Sequence, residues 1–237
     1  MMATYLQLVQ QTAEQSGTVP TIGDPATTAG ATGRIKRICT WVSKAYEDIQ
    51  LVSEDWRWLH ADFTGSLTTS VQAYDAGALG ITTRFRRWVP GPASDVVSTF
   101  SIYDPALGVS DETHLELVPW ETFRKYYLFG EGQTKQGRPT KFSVAPDNRL
   151  YFHEIPDAGY TLRGVYYKSP QVLSSDTDIP EMPAAHHDLI VWRALMRLAI
   201  FDEAVDVLPA YERMYMNGLA MLKADQFPVV RLAGGFA

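Results

Sequence analysis

Residues Asp176 to Phe227, DTDIPEMPAAHHDLIVWRALMRLAIFDEAVDVLPAYERMYMNGLAMLKADQF, decide the fold. Pro180 and Pro183 predict an extended approach, because each ring fixes φ and keeps the preceding residue out of the helical region. From Leu189 to Phe201 nearly every position is apolar, broken only by Arg193 and Arg197. Those arginines lie four apart and share one narrow helix face, so the rest of the surface, including Trp192 and Leu195, must be covered. Pro209 is tolerated only in a first turn, which starts the regular part of a second helix near Val207. Along it Leu208, Tyr211, Tyr215, Gly218 and Leu222 fall on one stripe. This helical hairpin needs more apolar cover than it carries.

The other end of the chain offers that cover. From Gly33, the residues Ile35, Ile38, Val42, Ala45, Ile49, Val52 and Trp56 alternate three- and four-residue steps, which predicts one long helix. Before it, Tyr5, Leu8, Val9 and Thr12 predict a short amphipathic helix over Thr4–Gln15, and residues 16–32 read as a loop. Helices from the two ends close one bundle.

Between Leu59 and Ser169 the period changes. Ile81–Val89, Thr99–Tyr103, His114–Val118, Lys141–Ala145, Arg149–Ile155 and Tyr160–Lys168 read as strands, with Pro146-Asp147-Asn148 as a hairpin turn. Trp120–Leu128 reads as a short helix, and Gly130–Pro139 as a mobile glycine-rich loop. The expected fold class is α+β: a helical bundle formed by the N- and C-terminal helices, with a β-rich insertion between them. The divisions are 1–60, 61–169, 170–224 and an extended tail, 225–237.

Composition narrows the function. The net charge of −6 and the absence of a basic third argue against sequence-reading DNA binding, which depends on neutralising phosphates. One cysteine, Cys39, leaves no intramolecular disulfide framework and reads as buried filler. No Lys or Arg precedes Arg34, and no uncharged run is long enough for a membrane span, so a soluble chain without a secretory signal is expected.

Candidate chemistry is thin. His186, His187 and Asp188 are neighbours on a helix and point about 100° apart, so they do not converge on a metal. The glycines of Gly130–Gly137 lack the Gly-Lys-Ser/Thr ending of a phosphate loop. Arg84-Phe85-Arg86-Arg87-Trp88 interleaves cations with aromatics, the pattern of a half-buried strand as well as of a nucleic-acid surface. Glu47, Asp48, Glu54 and Asp55 read as a solvated helix face. No catalytic residue, metal or cofactor is expected. Six tryptophans and twelve tyrosines, with an apolar tail after Asp225, point instead to protein partners.

Several stretches resemble the head-to-tail adaptor, or connector, proteins of tailed bacteriophages. They are AYEDIQLVSEDWRWL at Ala45–Leu59, Leu117-Val118-Pro119-Trp120 with Phe123-Arg124, Gly137-Arg138-Pro139, Pro146-Asp147, Tyr166–Pro170 and Asp176–Arg193. The resemblance implies a virion protein of the neck, made in the host cytoplasm. It implies a ring of twelve copies under the portal protein that passes double-stranded DNA to the tail without reading its sequence. On that reading Phe227, Val229, Val230, Arg231, Leu232 and Phe236 reach the portal, while the β-rich insertion faces the next tail or nozzle protein. Ile35, Ile38, Val42, Ile49, Trp56, Leu189, Trp192, Leu195, Tyr211 and Tyr215 pack the bundle and the ring. Two alternatives stay open: another tail-completion or baseplate protein, and an adaptor that also cuts peptidoglycan through Glu47 or Glu54.

Overall fold

A computed structural model gives the fold and describes residues 2–19, 22–91 and 98–227. The described residues form five α-helices and several small sheets. In chain order they are α1 (Tyr5–Gln15), α2 (Gly33–Leu51), β1 (His60–Leu67), β2 (Ala73–Tyr74), β3 (Phe85–Trp88), β4 (Ser101–Tyr103), β5 (Thr113–His114), β6 (Glu116–Leu117), α3 (Trp120–Tyr126), β7 (Gln136–Gly137), β8 (Lys141–Val144), β9 (Leu150–His153), β10 (Ile155–Pro156), β11 (Tyr160–Lys168), α4 (Asp188–Phe201) and α5 (Leu208–Gln226). The chain divides into two compact units, Met1–Leu59 with Pro170–Ala237, and His60–Ser169.

In the first unit α4 is the common support: α1, α2 and α5 each pack on it, and α1 also packs on α2. Eight of its fourteen residues are buried, as its composition requires. The amides of α1 are satisfied from two sources. Thr4 and Gln7 form a capping box, and the Tyr5 and Leu6 N–H groups donate to the carbonyls of Asp178 (2.7 Å) and Asp176 (3.3 Å). The Asp176 carboxylate in turn accepts from the Thr28 N–H (2.8 Å) and from the hydroxyls of Thr27 and Thr28, tying the loop before α2 to the stretch before α4. Buried Gln50 pairs both its amide atoms with the backbone of Gln171 (2.7 and 2.9 Å). The long stripe ends earlier than its periodicity predicts: α2 stops at Leu51, Val52 is exposed, and Trp56 is buried beyond the helix.

The second unit is built on β11, whose reading as Tyr160–Lys168 matches its observed span. It pairs antiparallel with β1 over eight residues and with β3 and β4, while β5 pairs with β4. A second sheet runs β2-β9-β8-β6, and β10 with β7 makes a short parallel pair. The Ala145–Arg149 hairpin turns as predicted, with Asn148 at φ 62°. Three expectations shorten. Ile81–Val89 is a strand only from Phe85, after Arg84 at φ 55°; His114–Val118 breaks into two pieces; and Gly130–Gly137 is no plain loop but a 3-10 turn followed by β7. Strands β1 and β2 are elements that the sequence reading lacked.

Its core is aromatic, with Phe63, Trp88, Phe100, Phe142 and Phe152 in mutual ring contact. Gly164, at the centre of β11, is where the rings close over the sheet: a Cβ there would lie 2.8 Å from Phe63 and 2.9 Å from Phe100. Gly164→Val should therefore cost about 1–3 kcal/mol, read as a lower urea midpoint with unchanged far-ultraviolet circular dichroism; an unchanged midpoint would mean that the rings move aside freely.

Candidate assembly surface

The predicted packing residues lie within the first unit. Ile38, Val42, Ile49, Leu189, Leu195 and Tyr215 are buried, and Ile35, Trp192 and Tyr211 are half-buried. Trp192 and Leu189 press on Gly218 so closely that a Cβ there would meet each at 2.8 Å, which sets the spacing of α4 and α5. Trp56 donates its indole N–H to the Ile49 carbonyl (3.0 Å) and lies between the rings of Trp58 (4.6 Å) and Phe227 (5.1 Å). Of the expected portal-binding residues, only Phe227 is described, and it is half-buried in this stack; Val229, Val230, Arg231, Leu232 and Phe236 lie outside the described residues. Since α5 runs to Gln226, the helix also occupies the first two positions assigned to the tail.

What the first unit leaves exposed is more informative. Ile200, Phe201, Val205, Val207, Met214, Met216 and Met221 are all exposed, Val205 at 71% and Met221 at 67%. They are concentrated in the corner between α4 and α5 and along α5. That helix uses Tyr215, Leu219 and Leu222 against its own chain. Its outward positions Ala210, Met214, Asn217, Met221 and Ala224 repeat at four- and three-residue steps and are exposed throughout. Such a repeat is the signature of a second packing seam.

Charged groups fix the helices to one another. Asp48 does not sit on a solvated face as expected. It accepts from Arg193 Nε (3.1 Å) and Arg197 (2.7 Å), while Arg193 also lies over the Tyr215 ring. Glu47 pairs with Lys44 (2.6 Å). Arg34 forks onto Asp202, a contact that holds that carboxyl below the usual range. His186, His187 and Asp188 diverge. His187 accepts the Ala3 N–H (3.2 Å) at Nδ1 and meets the Met182 carbonyl (3.0 Å) at Nε2; Asp188 faces Gln11, and His186 faces Asp225. Among the described residues no group of three His, Cys, Asp or Glu is placed to hold a metal. Cys39 is buried, which pushes its thiol pKa up and away from reactivity.

A family model described as SU10 adaptor protein matches residues 3–232. The chain belongs to the SU10 adaptor protein family. This agrees with the phage-adaptor resemblance of its motifs and makes the SU10 adaptor a structural virion component. Comparison with curated proteins finds no match. Among the described residues no helix of the adaptor is long and apolar enough to cross a membrane.

Several motifs that carried the resemblance are fold locks in this adaptor. In the second unit, the Arg138 guanidinium holds both carboxylate oxygens of Asp111 (2.9 and 2.7 Å), the carbonyls of Ile102 and Asp111, and Thr113. That contact keeps the Asp111 carboxyl below its ordinary range. Arg84 donates to the Ser169 carbonyl, and Arg86 and Arg87 lie over the Tyr167 ring. Exposed aromatics in this unit are Tyr126 and Phe129, beside the basic residues Arg124 and Lys125.

His187 gives the first unit a pH dependence. Burial lowers its pKa from the usual 6.5. Protonation then favours the unfolded chain, so the stability it contributes is complete above about pH 6.5 and is lost as the pH falls through the folded value. The thermal midpoint should be lower at about pH 5.5 than at about pH 7.5. His187→Gln should narrow that gap; an equal gap in the variant would assign the dependence elsewhere, for example to His153, whose pKa burial also lowers.

Proposed function

We propose that this SU10 adaptor forms a closed ring under the portal and joins the DNA-filled head to the tail. The observation that carries this reading is the exposed apolar run from Ile200 to Met221, in a chain whose family is one of phage adaptors. Exposed apolar area on that scale is costly unless another surface covers it. In the proposal the helices of 1–60 and 170–224 bundle into the ring wall, and heterologous contacts repeat one pair of faces around the axis. Twelve copies fit the portal's symmetry. The β-rich part, 61–169, faces the next tail or nozzle protein, for which Tyr126 and Phe129 supply exposed aromatic surface. The net negative charge suits a passage for double-stranded DNA, because a negative wall repels phosphates.

The tail supplies the portal contact. Gln226 is buried and Phe227 stacks on Trp56, so the proposed portal contact is assigned to the residues after Phe227. In this reading Val229, Val230, Arg231, Leu232 and Phe236 pack against portal subunits. Deleting residues 228–237 should leave a folded protein, with unchanged circular dichroism and melting, that no longer attaches to filled heads. Filled heads carrying normal amounts of the truncated protein would overturn the portal role. Co-purification of the full chain with the tail tube and not with the portal would favour a tail-completion protein.

A further inference from the structure

The two flanks of α4 carry matching chemistry at matching heights. Asp48 meets Arg193 and Arg197 while Arg34 meets Asp202, so α2 runs antiparallel to α4. Gly218 abuts Leu189 and Trp192 while Tyr215 faces Arg193, so α5 is antiparallel to α4 too. Therefore α2 and α5 run parallel, with Asp48 and Tyr215 level at Arg193.

Reading outward from that level gives two complementary edges. On the α5 edge stand Asp206 in the corner, then Arg213 and Met214, then Met221; all four are exposed. On the α2 edge stand Lys36 near the level of the Arg34–Asp202 contact, Glu47 one residue before Asp48, and exposed Leu51 and Val52 at the far end. The order is acid, cation, apolar on one edge and cation, the Lys44–Glu47 pair, apolar on the other. Among the described residues Lys36, Asp206 and Arg213 have no ion-pair partner. The α2 edge also borders a groove of about 520 Å³, lined by Lys36, Thr40, Lys44, Glu47 and exposed Val172. A rotation about an axis parallel to the helices keeps every residue at its own height.

We infer that the α5 edge of one copy docks on the α2 edge of the next copy of this chain. Met214 and Met221 lie toward Val172, Leu51 and Val52, with Asp206 facing Lys36 and Arg213 facing Glu47. The inference rests on the ring reading and adds to it the two faces that meet. The complementary order of charge selects a second copy over an unrelated partner. Buried Ile38, Val42 and Leu195 take no part, since they are already used inside one chain.

The test exchanges charge on the full-length protein. Self-association, alone and on purified portal, is followed by native mass spectrometry and sedimentation, with far-ultraviolet circular dichroism as the fold control. Asp206→Lys with Arg213→Glu should weaken association by at least about tenfold, and Lys36→Glu with Glu47→Lys should do the same. The chain carrying all four substitutions should recover it. Mixing the two double variants should also recover it, since each new contact then pairs opposite charges. Wild-type association that neither double variant changes would overturn the face assignment while leaving the ring. Species that stop at dimers would replace it with a symmetric α5–α5 contact. A wild-type chain that stays monomeric alone and on portal would overturn both readings.

Discussion

The first unit depends on one constraint, the covering of α4. A helix with eight buried residues and only two internal charges has almost no face that tolerates water. Its neighbours follow from that. Helix α1 is held at its start by carbonyls of the stretch leading into α4, and α2 supplies Asp48 for the two arginines that interrupt α4. Helix α5 approaches closely enough that residue 218 must be glycine or displace Leu189 and Trp192. Removing Asp48 would strand two guanidinium groups on an otherwise apolar helix. Keeping it costs little, because the trio stays about one-third exposed and water screens part of the desolvation.

Helix α5 resolves the same constraint differently. It gives one stripe to α4 and carries a second apolar stripe that is exposed among the described residues. A monomer gains nothing from three exposed methionines on one helix, whereas a repeated contact does, since flexible thioethers adapt to an imperfect neighbouring surface. Membership of an adaptor family gives such a surface a physical reason to exist.

The motifs by which the chain resembles its family work mainly inside each unit. Asp176 and Asp178 bind backbone amides and hydroxyls, His187 spends both ring nitrogens on its own chain, and Arg138 ties a turn to β4 and β5. Such residues are needed because a charged or polar group near a core is tolerated only when its bonding is complete. The surfaces available to partners have no comparable signature. Methionine, alanine and single charges on an exposed helix look the same in sequence as ordinary surface.

By itself the sequence determined the helix content of both chain ends, strand β11, the Ala145–Arg149 turn and the differing directions of the His186, His187 and Asp188 side chains. Each is a local matter of periodicity, turn chemistry or side-chain direction. It missed β1, because its inward positions include Gly65, packed against Leu79 and silent in a count of apolar residues. It also carried the α2 stripe through to Trp56, whose burial comes from a stack with Trp58 and Phe227, the latter far away in the chain. Only the tertiary structure decided that Phe227 is seated on Trp56, that Asp48 belongs to Arg193 and Arg197, and that α5 has a face to spare. The first two depend on contacts between residues more than a hundred positions apart, and no local pattern encodes which distant side chain arrives.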